Sequence, residues 1–84
     1  MTFRAYPQDH TPRHVHGFCG EAEVIVDLLP DESVAIADRV DAIRPGNGKR
    51  NEIREVLKEA AEHFEELVEL WERMHEPIAQ NQAH

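Results

Sequence analysis

The sequence predicts an α+β fold: a small antiparallel β-sheet of about three to four short strands packed on one long C-terminal helix. Three observations predict it. Val24, Val26 and Leu28 alternate with Glu23, Ile25 and Asp27, the two-residue period of a half-buried strand. Ile53, Leu57, Ala60, Phe64, Leu67, Trp71 and Met74 recur at steps of four and three, the period of an amphipathic helix. Between these patterns, Arg44-Pro45-Gly46-Asn47-Gly48 combines a proline and two glycines, which disfavour both helix and ladder.

The elements follow in chain order. Pro7 and Pro12 divide the first twenty residues, leaving room for extended pieces at Thr2–Tyr6 and His14–Phe18. The strand over Glu21–Leu29 is rich in β-branched residues. Pro30-Asp31-Glu32-Ser33 carries turn chemistry, since proline donates no ladder bond and aspartate bonds its own backbone. The returning segment Ser33–Ile43 reads as a strand from Val34 and Ile36, although Ile36, Val40 and Ile43 also stand at helical spacing. Asn47 or Asn51 is placed to cap the helix over about residues 49–76, whose stripe Val56, Ala61 and Val68 widen and which Pro77 ends. Residues 1–77 thus form a single domain, and 78–84 read as a flexible polar tail.

Composition bounds the function. A chain of 84 residues has room for one domain, and burial of about 60–65% of its unfolded surface makes it marginally stable. Seventeen Asp and Glu against nine Lys and Arg give a net charge of −8, which repels phosphate backbones and argues against nonspecific nucleic-acid binding. The lone Cys19 excludes an internal disulfide and fits a reducing compartment. No apolar run has the length of a signal peptide core or a membrane span, so a cytoplasmic location is expected.

The helix suggests a partner. A rod of this span is about 40 Å long, against about 30 Å across a compact domain of this size. An overhanging stripe of Phe64, Leu67, Trp71 and Met74 would need cover from a second copy or another protein. Alternatively the strands curl along the whole helix and Trp71 is core. Glu55, Glu59, Glu62, Glu65, Glu66, Glu69 and Glu72 form an acidic outer face, which is either solvated or docks on a basic groove as an acidic phage-type inhibitor of a defence enzyme would.

The most chemical segment is Asp9-His10-Thr11-Pro12-Arg13-His14-Val15-His16-Gly17-Phe18-Cys19-Gly20-Glu21. On an extended chain His14 and His16 share a face. Together with His10 or Cys19 they could hold Zn²⁺ and leave a position for water. The same pair could act as general base and general acid, with Arg13 stabilising a phosphoryl transition state in a ribonuclease whose RNA rests on Arg44, Lys49, Arg50 and Arg54. A third reading is structural: the imidazoles tie the N-terminal loop to the sheet, with Glu21 accepting from one of them. Apart from zinc, no cofactor is implied.

Two stretches resemble a family of small bacterial proteins, the domain of unknown function 4160. Asp9-His10-Thr11-Pro12-Arg13-His14-Val15-His16, followed by Gly20-Glu21, is similar to the family's His, two prolines and His-x-His, with Arg13 where a second proline is usual. Glu52 to His75, with Leu67, Trp71 and His75, resembles a helix ending in Leu-x-x-x-Trp. The resemblance covers about Phe3 to Glu76. It implies the same fold and, because members are often encoded beside a second small domain, a protein-interaction component of a toxin–antitoxin-like two-gene module that binds its neighbour's product.

Overall fold

The strand expected at Glu21–Leu29 lies inside the sheet. In the computed structural model, which describes residues 1–47 and 49–75, the order is β1 (Thr2–Arg4), β2 (His14–Cys19), β3 (Ala22–Leu28), β4 (Val34–Ile36), β5 (Ile43–Arg44), α1 (Arg50–Glu62) and α2 (Phe64–Met74). The strands form one antiparallel sheet in the order β1-β2-β3-β4, and β5 also pairs with β3. The α+β class is as expected.

A two-residue turn sets the central register. Cys19 pairs with Ala22 across Gly20-Glu21, and Gly20 takes φ +60, the left-handed conformation that a tight hairpin needs at its first turn position. That turn places Val15 opposite Val26 and Gly17 opposite Val24 on one face, and His14 opposite Asp27 and His16 opposite Ile25 on the other.

The first face meets the helices. Val15, Val24, Val26 and Leu28 pack with Val56, Ala60, Phe64, Leu67 and Trp71 in the main core. Burial of each large apolar side chain contributes about 1.5–3 kcal/mol. The second face carries a small cluster of Ile25, Ala37 and Ala42 beneath the residues that join β4 to β5.

The segment expected as one strand over Ser33–Ile43 is two short strands with a bulged loop between them. Ile25 keeps its backbone bonds through the bulge, donating to Ala42 O at 2.7 Å and accepting from Ala37 N at 2.9 Å. The loop tip is pinned by Arg39, whose Nε donates to Asp41 Oδ1 at 2.6 Å, with Arg44 Nη2 3.3 Å from Oδ2. The preceding turn follows its chemistry: Asp31 Oδ1 accepts from Ser33 N at 3.1 Å.

The single long helix expected over 49–76 is two helices. His63, at φ −115 and ψ 32, ends α1 and begins α2, although its N–H still reaches Glu59 O at 3.0 Å and its carbonyl accepts from Leu67 N at 3.0 Å. Neither proline nor glycine stands at this break. The helices run back along β2, with Glu52 beside Gly20, Val56 beside Gly17, Phe64 beneath Arg13 and Trp71 against His14. The thirteen residues of α1 already cover about 20 Å, the length of β2. Beyond that point α2 stays at the same end of β2, with Phe64 beneath Arg13 and Trp71 against His14.

The helix cap also differs from expectation. The N-cap is Lys49, not Asn47 or Asn51, and it makes no side-chain cap because its ammonium cannot accept; its carbonyl takes the N–H of Glu52 and Ile53, each at 3.1 Å. Gly48, Pro77 and the tail at 78–84 lie outside the described residues.

Candidate metal centre

His14 and His16 project from the face of β2 opposite Val15 and Gly17, as alternation requires. Loop residues 5–13 fold over that face. Asp9 holds its own loop, accepting from Tyr6 N on Oδ2 at 3.2 Å and donating its N–H to Tyr6 O at 3.0 Å. The same Oδ2 stands 3.2 Å from His16 Nε2 and 3.5 Å from His14 Nε2. Both imidazoles are buried, 6% and 9% exposed.

Each ring is oriented from behind. His14 Nδ1 lies 2.9 Å from Pro12 O, a pure acceptor, so this nitrogen carries the proton and Nε2 presents a lone pair in the neutral ring. His16 bridges two carboxylates, with Nδ1 3.1 Å from Glu23 Oε2 and Nε2 3.2 Å from Asp9 Oδ2; the neutral tautomer that donates from Nδ1 to Glu23 presents its Nε2 lone pair to Asp9. His14 Nε2 is fully buried and has no hydrogen-bond partner among the described residues. In that tautomer two imidazole nitrogens and a carboxylate oxygen converge on one point, an arrangement that a cation between them would satisfy.

The two spacings about Asp9 Oδ2 fit such a cation. Ligands about 2.0–2.2 Å from a tetrahedral ion stand about 3.3–3.6 Å from one another. The two distances to Asp9 Oδ2 are 3.2 and 3.5 Å, and the three donor atoms all lie within 4.8 Å of one another. Two imidazole nitrogens and one carboxylate oxygen suit zinc or another divalent first-row ion. The backing of each ring by an acceptor is the outer support that metal-bound histidines need.

Asp9 and His14 also line a cavity of about 570 Å³ whose walls include His10, Asp27, Asp38 and Arg39. Asp9 and His14 thus border the cavity, and His16 is not part of its lining. Burial raises the Asp27 carboxyl above its ordinary range and Asp38 adds to the rise, opposed by His14 and Arg39.

The expected site residues separate. His14 and His16 belong to the cluster, whereas His10 is exposed on the cavity wall. Cys19 stands on the other face of β2, against the main core, because it is an odd number of residues from both histidines. Arg13 shares that face: its Nε donates to Leu28 O at 2.9 Å and its guanidinium lies over the Phe64 ring at 5.7 Å. Lys49 lies with Gly20 and Glu52, at the far end of β2 from His14, and Arg44 pairs with Glu23 at that same end. Phe64, Leu67 and Trp71 are covered by the chain's own sheet, 9%, 5% and 7% exposed; Met74 remains 40% exposed. Glu21 is exposed at the hairpin tip, and Glu23 takes the role of carboxylate behind an imidazole.

Asp9 and Glu23 were not expected as the partners of the histidines. Their signal lies in the alternation of β3: Glu23, Ile25 and Asp27 form its non-helix side, and the hairpin at Gly20-Glu21 turns that side toward His14 and His16. Asp9 carries no such periodicity, because a loop delivers it.

The chain matches the family described as domain of unknown function (DUF4160) over residues 1–72, a span that includes Asp9, His14, His16, Glu23 and Trp71. No curated protein and no solved structure matches it. No helix among the described residues is long and apolar enough to cross a membrane.

Proposed function

The chain belongs to the DUF4160 family, and we propose that it is a metal-binding protein in which Asp9, His14 and His16 hold one divalent ion of the zinc class beside a cavity suited to hydrolytic chemistry. One observation carries the reading: the buried Nε2 of His14, with its other nitrogen committed to Pro12 O, has no hydrogen-bond partner among the described residues and faces the Asp9 carboxylate at 3.5 Å. An ion held there offers Lewis acidity and lowers the pKa of a bound water. Asp9 and His14 would leave its open position toward the cavity, where Asp27 supplies a carboxylate to receive a proton.

The metal-free ribonuclease reading has less support. Both imidazoles are buried, Arg13 is on the opposite face, and the cavity wall carries Asp9, Asp27 and Asp38 against one arginine, Arg39. Such a wall repels a phosphodiester. A product of a neighbouring gene, if this chain binds one, would meet Met74 and the acidic outer face of the helices, because Phe64, Leu67 and Trp71 are already covered.

Titration with Co²⁺ tests the reading, since tetrahedral nitrogen and oxygen ligation gives visible absorption bands that six water ligands do not. The expected result is saturation at one ion per chain, with the bands lost in Asp9→Ala and in His16→Ala. A spectrum of free aqueous Co²⁺ at every ratio would rule the centre out.

A further inference from the structure

The end of α2 touches the same cluster from behind. His75 Nε2 lies 2.9 Å from the backbone carbonyl of Asp9, 66 positions away in sequence, and its Nδ1 lies 2.8 Å from the carbonyl of Trp71. Both partners only accept, and a neutral ring has one N–H, so the tautomer decides which of the two carbonyls receives it. The His75 ring stacks on the Trp71 indole at a centroid distance of 3.6 Å and an interplanar angle of 25°. Trp71 in turn meets the His14 ring at 5.3 Å. One helical turn therefore contacts the loop that delivers Asp9 and the ring of His14 together.

We propose that His75 is a positioning residue for the metal centre: with Trp71 it locks the Asp9 loop and the His14 ring into ligand geometry, and so makes the centre depend on the docking of α2. The inference rests on the metal-binding reading above. Asp9 is the one ligand carried by a loop, and a loop moves more freely than a strand. Tyr6 N–H holds its carboxylate from one side. On the other side only His75 reaches its backbone carbonyl among the described residues. From the break at His63, α2 runs to its last turn, where Trp71 meets His14 and His75 reaches the Asp9 carbonyl.

Metal affinity with the full chain tests this. Competition of Co²⁺ and Zn²⁺ against a chromophoric chelator should show His75→Ala weakened about 10–100-fold, the usual range for outer-shell partners. The variant's Co²⁺ bands should shift as Asp9 loosens, a change that a merely less stable fold with an intact centre would not produce. The emission of Trp71, the single tryptophan, should respond to metal in the wild type and respond less in the variant. His75→Gln keeps one donor and should fall between the two, which keeps the test open should His75→Ala fail to fold. Wild-type affinity and an unshifted spectrum in both variants would overturn this inference alone. No binding by the wild type would overturn it together with the metal-binding reading.

Discussion

A Cβ built on Gly17 would stand 2.6 Å from Cγ1 of Val56, so α1 lies against β2 at a distance that only glycine permits. The same Cβ would stand 2.8 Å from the Phe3 ring on the neighbouring strand, so neither side has slack. Gly17→Ala should therefore lower stability by about 1–3 kcal/mol through overpacking. Denaturant unfolding checks it as a lower midpoint with an unchanged slope.

Trp71 is expected to behave as core. Trp71→Ala should cost about 3–5 kcal/mol, a large share of the stability of so small a domain. Were Trp71 instead an exposed docking residue, the free chain would lose almost nothing. Thermal unfolding of the isolated protein separates the two outcomes.

Arg13 divides the structural from the catalytic role expected of it. Its guanidinium donates to Leu28 O and lies over Phe64. Arg13→Ala should cost about 1.5–3 kcal/mol in unfolding experiments through the lost charged hydrogen bond. Its Co²⁺ spectrum should match the wild type, because the side chain is on the other face of the sheet.

Much of this arrangement was legible in the residues. The alternation through Val24, Val26 and Leu28 located β3, and the His-x-His spacing put two imidazoles on one face. The Asx chemistry of Asp31 and Ser33 located the turn. The break at His63 was not legible, since Ala60 to Phe64 contains no helix breaker and the apolar stripe continues through it. The ligand set was half legible. Parity along β2 removes Cys19, but no local pattern announces that a loop brings Asp9 onto the histidines, or that His75 reaches it from the other end of the chain.

The bend itself can be read by titration. Glu66 Oε1 lies 2.6 Å from His63 Nδ1, and this hydrogen bond is the main cause of a His63 pKa raised above 6.5, with Glu59 and Glu62 adding to it. The stabilisation is fully present below pH 6.5 and is lost as pH rises through the raised value. Glu66→Gln should lower the His63 pKa, and NMR titration of its ring protons measures the shift directly. An unchanged midpoint would mean that Glu66 does not hold the ring.

Metal content tests the central claim most directly. After exposure to excess Zn²⁺ and exhaustive dialysis, elemental analysis of the wild type should give one zinc per chain, and His14→Ala, folded by circular dichroism, should retain almost none. Wild-type protein that emerges metal-free, or a His14→Ala variant that keeps its zinc, would contradict the assignment of Asp9, His14 and His16 as a metal centre.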